Sequence, residues 1–131
     1  MEKETNNSKP IGIVGLGLIG GSLGLDLQRL GYQVHGLAHR VTTVQRAKER
    51  GLAHRISTDP QILNQCSIII FALPLPQLLK PSPELIKELP LDAVITDVGS
   101  VKAPILKTWG KLHPNFVASH PMCGTNKEGV E

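Results

Sequence analysis

The sequence predicts a doubly wound parallel α/β sheet, built as a single domain. Three observations carry that expectation. Short apolar runs of strand character alternate with runs of helical character along most of the chain. The connections between them are short, so successive elements must pack side by side. One run, SIIIFA at 67–72, is continuously β-branched or aromatic, the pattern expected of a strand buried on both faces of a parallel sheet. At 131 residues and 40% hydrophobic content, the chain suits one domain with its own core.

The elements follow in order. Residues 1–9 are polar and charged and read as a disordered lead, with the domain spanning 10–131. Ile11–Val14 is a short apolar strand that runs directly into Gly15-Leu-Gly-Leu-Ile-Gly20. A helix follows, with Ile19, Leu23, Leu27 and Leu30 spaced to share one buried face and Gly31 ending it. Gln33–Leu37 is the second strand. Thr42 or Thr43 can cap the next helix, which runs to Arg50 and stops at Gly51. A weak strand at 54–56 precedes a short helix opened by Asp59 and Pro60. After the apolar strand at 67–72, Pro74 and Pro76 impose a loop. A helix near 83–89, a strand at 93–97, a helix at 103–113 and a strand at 116–118 complete the pattern.

Composition excludes several functions. Aromatics make up 3%, too few for the stacking platforms of single-strand nucleic-acid readers. The net charge of +3 is scattered rather than gathered into a stripe, so neither nucleic acid nor membrane is an expected partner. An anionic small molecule accounts for it equally well. The longest apolar run falls far below the roughly 20 residues of a bilayer span, and the polar lead has no secretory character. With two cysteines, a reduced cytoplasmic protein is expected.

The glycine turn gives the first functional residues. A G-x-G-x-x-G between a strand and an amphipathic helix is the fingerprint of a Rossmann-type dinucleotide-binding unit. Gly15 permits the tight turn, Gly17 lets a pyrophosphate approach the backbone, and Gly20 lets the helix lie close to the strand. The phosphates then meet the free N–H groups of Leu16, Leu18 and Ile19 and the positive end of the helix dipole. Leu73 and Pro74, just past the fourth strand, fall at the same carboxyl edge of the sheet and join the cofactor-binding set. Units that bind NAD hold the ribose 2′-hydroxyl with an acid about 20 residues beyond the turn. Here no acid occurs between Asp26 and Glu49. Arg40 can pair with a 2′-phosphate, and His39 and Thr43 can add hydrogen bonds, so the expected cofactor is NADP.

Two further segments lie past the carboxyl ends of strands, DVGSVK at 97–102 and SHPMCGT at 119–125. Together with GLGLIGGS they resemble the prephenate and arogenate dehydrogenase family of tyrosine biosynthesis, motif for motif and in the same order. The resemblance implies hydride transfer from C4 of a cyclohexadienyl alcohol to a nicotinamide, with loss of carbon dioxide and aromatisation of the ring. His120 matches the family's catalytic histidine, whose imidazole suits proton transfer at the C4 hydroxyl. Ser100 matches the serine that orients it and can also cap a helix. Thr125 and Lys127 fall in the segment that approaches the substrate side chain. Asn126 stands where some prephenate-using members carry glutamate, which favours arogenate, with prephenate as the alternative. Family enzymes continue into a helical domain that forms a homodimer. Residues 119–131 are accordingly expected to begin the linker to it, and the isolated chain to be inactive. His120 and Cys123 lack a second ligand pair, so no metal is expected. A β-hydroxyacid dehydrogenase would share the glycine turn but not HPMCGT. A non-catalytic dinucleotide sensor would have no use for Ser100 and His120.

Overall fold

The computed structural model describes residues 9–98 and 108–117. Six strands form one parallel sheet in the order β3-β2-β1-β4-β5-β6, the doubly wound arrangement the sequence predicts. The strands are β1 (Ile11–Val14), β2 (Val34–Leu37), β3 (Arg55–Ser57), β4 (Ile68–Phe71), β5 (Val94–Asp97) and β6 (Phe116–Val117). The helices are α1 (Leu18–Arg29), α2 (Val41–Glu49), α3 (Leu75–Leu79) and α4 (Pro83–Glu88), with a 3-10 turn at Pro60–Leu63 and helical residues at 108–112. The chain first winds outward from β1 through β2 to β3, then crosses back to place β4 on the other side of β1. The crevice of such a fold opens where that reversal occurs, past Val14 and Phe71.

Both long helices stop where glycine allows it. Tyr32 N–H donates to the Leu27 carbonyl and Gly31 N–H to that of Gln28; Leu52 and Gly51 do the same to Ala47 and Lys48. Each pair of bonds satisfies carbonyls that the helix leaves open. The 3-10 turn is capped by Asp59, whose carboxylate accepts from Gln61 N–H at 3.0 Å, and α4 by Ser82, whose hydroxyl accepts from Leu85 N–H at 3.2 Å.

Four expectations change. The buried face of α1 is not the stripe at 19, 23, 27 and 30: Ile19 is 60% and Leu30 72% exposed, and the buried residues are Gly20, Gly21 and Gly24. The reason is distance. A Cβ on Gly20 would collide with the Gly15 carbonyl oxygen, and one on Gly24 with that of Leu52. At those glycines the helix lies too close to its neighbours for side chains, while Leu23 and Leu27 of the expected stripe are partly buried against the core beside them. Second, α2 is capped by the extended backbone of Arg40, with Thr42 and Thr43 inside its first turn. Third, α3 occupies the expected loop, because Pro74 precedes it and Pro76 sits in its first turn, where no N–H is required. Fourth, β4 is fully buried on one face only. Ile69 and Phe71 are enclosed, whereas Ile68, with Val94 and Val117 on the same face, stays 37–56% exposed.

Two cores result. Ile13, Leu16, Val34, Val44 and Ala47 pack beneath α1 and α2. On the opposite face Leu63, Ile69, Phe71, Leu78 and Ile95 surround Trp109. The Trp109 ring lies 4.7 Å from Phe71 and 5.6 Å from Phe116, and its indole N–H donates to the Leu78 carbonyl at 2.9 Å. The expected strand at 116–118 is β6 as far as Val117. Of the helix expected at 103–113, residues 103–107 lie outside the described residues and His113 follows its last turn.

Candidate functional site

β1 ends at Val14 and the chain turns at once. Gly15 takes φ +99°, and a Cβ there would strike the carbonyl oxygen of Ala72, so this position requires glycine on two counts. Gly15 N–H donates to the Leu37 carbonyl and Ala72 N–H to that of Val14, which ties the turn to the ends of β2 and β4. Gly20 is fixed by its contact with the turn above it. Gly17 is different. It caps α1 with φ −77°, and a Cβ there would meet nothing within 4 Å. The fold itself therefore does not require glycine at 17. Leu16 is buried with its side chain against Gly36, while Leu18, 90% exposed, and Ile19, 60% exposed, begin α1.

Two cavities are lined in part by this turn. The smaller, about 190 Å³, lies between the ends of β1, β2 and β4; Gly15, Ala38, His39, Thr58 and Leu73 line it. The larger, about 380 Å³, lies between α1 and α2; Leu16, Gly17, Ser22, Arg46 and Arg50 line it. Of the residues singled out in the sequence, Gly15, Leu73 and His39 come together in the smaller cavity, and Leu16, Gly17 and Leu18 in the larger. Arg40, Thr43 and Pro74 line neither. Arg40 is exposed at the start of α2, Thr43 is half-buried in its first turn, and Pro74 is exposed ahead of α3. Ser100, His120, Thr125 and Lys127 lie outside the described residues.

Sequence reasoning named neither Ala38 nor Arg46. Ala38 is buried, and its N–H donates to the Ser57 carbonyl, so it occupies the position at the end of β2 where an NAD-binding unit presents a carboxylate. The signal was an absent side chain, readable only once the last residue of β2 is known. Arg46, in the last turn of α2, lines the larger cavity.

Three of the other histidines serve the backbone. His35, buried in β2, donates from Nδ1 to the Ile62 carbonyl at 3.1 Å; burial chiefly, with Arg55 and His54 nearby, pushes its pKa below the usual histidine range. His54 Nδ1 accepts from Val34 N–H at 3.0 Å. His113 Nε2–H donates to the Pro90 carbonyl at 2.8 Å while its Nδ1 accepts from Asn115 N–H. Burial pushes the Cys66 thiol up to about 12, too high for nucleophilic work. Asp97 is fully buried at the end of β5.

Sheet order, glycine turn and crevice define a Rossmann-type nucleotide-binding domain. The family model described as prephenate dehydrogenase, nucleotide-binding domain, matches residues 23–131, and the chain belongs to that family. The match begins beyond the glycine turn, so the turn is a separate argument. The chain is 31% identical to prephenate dehydrogenase of Lactococcus lactis over 93% of its own length and 36% of that protein's. Its fold matches Synechocystis arogenate dehydrogenase (TM-score 0.76, 38% identity, 93% of this chain and 45% of that one). It also matches prephenate dehydrogenase from A. aeolicus in complex with hydroxyphenyl propionate and NAD+ (TM-score 0.78, 25% identity, 94% and 46%). The chain thus spans less than half the length of these relatives.

Proposed function

We propose that this chain is the NADP-binding part of an arogenate dehydrogenase. The observation that carries the dinucleotide is Gly17. The fold has room for a side chain there, and the residue that leaves it empty is the one over which a pyrophosphate must pass. Arrival of the phosphates would also satisfy the first N–H groups of α1. Two features favour NADP over NAD: Ala38 offers no carboxylate to the ribose, and no acid occurs from 27 to 48. The adenine end fits the cavity beside Ala38 and Thr58.

When bound, the nicotinamide supplies a hydride acceptor at the carboxyl edge of the sheet. The family motif gives His120 the proton of the C4 hydroxyl and Ser100 the orientation of that imidazole. Thr125 and Lys127 would approach the substrate side chain. Asn126, standing where some prephenate-using members carry glutamate, favours arogenate. Relatives more than twice as long support residues 119–131 leading into a further domain; its helical, dimer-forming character and the cytoplasmic location of the enzyme rest on the family resemblance alone.

Calorimetric titration with NADP+ and NAD+ tests the cofactor. NADP+ is expected to bind at least ~10-fold more tightly, which corresponds to about 1.4 kcal/mol. Equal or tighter NAD+ binding would overturn NADP. Gly17→Ala should weaken both ligands while leaving the melting temperature unchanged. Full affinity in that variant would remove the argument for a dinucleotide on this turn.

A further inference from the structure

We propose that Gln77, in the middle of α3, reads the adenine ring of the cofactor by pairing its amide with the 6-amino group and N7. This rests on the reading that a dinucleotide lies over the glycine turn, and it holds with or without a 2′-phosphate on the ribose. The argument starts from the smaller cavity. At about 190 Å³ it has room for one planar base and little more. Leu37, Leu73 and Leu85 give it aliphatic walls, which suit the faces of a heteroaromatic ring. Its polar side chains are left to meet the edge of that ring.

Four polar side chains line the cavity: His39, Thr58, Gln77 and Ser82. The Ser82 hydroxyl caps α4, accepting from Leu85 N–H at 3.2 Å. A hydroxyl such as that of Thr58 makes a single bond to a base edge and suits a donor or an acceptor there. The two ring nitrogens of His39 point apart, so they cannot meet one edge together. Gln77 alone of the four carries a donor and an acceptor side by side. That is the complement of adenine, whose 6-amino group donates beside an accepting N7. The amide is also uncommitted. Gln28 and Asn115 give theirs to the carbonyls of Gly51 and Leu91, whereas that of Gln77 makes no hydrogen bond among the described residues. Its backbone is held firmly. The N–H groups of Gln77 and Leu78 both donate to the Pro74 carbonyl, and the Leu78 carbonyl accepts from the buried Trp109 indole at 2.9 Å. A base with oxygen at position 6, such as hypoxanthine, sets two acceptors where adenine sets a donor and an acceptor. The Gln77 amide oxygen would then face a ring oxygen.

Calorimetric titration of wild type, Gln77→Leu and Thr58→Val with NADP+ and its hypoxanthine analogue tests the assignment, with NAD+ and its hypoxanthine analogue as a second pair. Gln77 is exposed, so its replacement should leave the melting temperature intact. The wild type is expected to bind the adenine form at least ~10-fold more tightly in each pair. Gln77→Leu should bring the two forms within ~2-fold of each other by weakening the adenine form, while Thr58→Val keeps the wild-type ratio. A wild type with no preference for adenine overturns the role of Gln77 and leaves the dinucleotide reading standing. So does a preference that survives in Gln77→Leu, or one that is lost in Thr58→Val instead. Binding of neither dinucleotide overturns that reading and this inference with it.

Discussion

On one face of the sheet, α1 approaches through Gly20, Gly21 and Gly24; on the other, Trp109, Phe71, Leu63 and Leu78 fill the space between helices and strands. The two faces reach close packing by opposite means. Around Trp109 the contact is volume against volume, and the stabilisation scales with the apolar area enclosed. Beneath α1 a side-chain core is present too, but at Gly20 and Gly24 the contact is with backbone carbonyls, and what matters there is the absence of a Cβ. The difference follows from the position of the ligand crevice. The helix whose first turn would meet phosphates must start at the very end of β1, and so lies against the turn at Gly15 and the loop at Leu52. The other face carries no such restriction and is packed as an ordinary core.

Three substitutions break or sharpen that contrast. The largest effect is expected from Trp109→Ala, which empties the centre of the side-chain core and leaves the Leu78 carbonyl without its donor. Denaturant unfolding should register a loss of about 3–5 kcal/mol. A loss below about 1 kcal/mol would mean that this face does not depend on volume. Next is Gly24→Ala. Helix propensity favours alanine by about 1 kcal/mol, but the new methyl collides with the Leu52 carbonyl and displaces backbone at a cost of about 3 kcal/mol. The net expectation in the same assay is a loss of about 2 kcal/mol, where an ordinary helix would gain. A stabilised variant would show that α1 can lift away from the loop at Leu52.

The smallest effect concerns pH. His35 has its pKa lowered in the fold, mainly by burial. The unfolded chain therefore takes up this proton first, near the ordinary value of about 6.5. The His35 contribution is complete above that pH and is lost as pH falls toward the lower, folded value. Thermal melts from pH 8 to 5 should show the decline begin near 6.5. His35→Asn, which keeps an N–H for the Ile62 carbonyl, should show a shallower one. Identical slopes for the two proteins would remove His35 as a cause.

Much of the fold was legible in the chain. Strand positions, the glycine stops at 31 and 51 and the Asp59 cap rest on local rules, so they survive assembly. The buried face of α1 was misread because hydrophobic periodicity assumes that the larger side chains go inside. Where α1 meets the Gly15 turn and the Leu52 loop glycines go inside instead, and of the expected stripe Leu23 and Leu27 reach the core while Ile19 and Leu30 are left in solvent. The proline-flanked α3 was missed because proline was read as a breaker where it serves as a starter. In the site, Gly15 and Gly20 could be justified from the sequence by the turn they make. Gly17 could not be separated from them until the open space above it was seen.

The sequence alone determined the order of strands and helices, the turn at Gly15–Gly20 and the acid-free stretch after β2, because each depends on neighbours in the chain. It also carried the family motifs that hold Ser100 and His120. The tertiary structure decided which atoms share a cavity. Ala38 at the mouth of one, and Arg46 beside Gly17 in the other, belong to elements far apart in sequence. They are brought to one glycine turn by parallel pairing of β1 with β2 and by α2 lying alongside α1. Such neighbours are set by packing across the sheet, which no local pattern encodes.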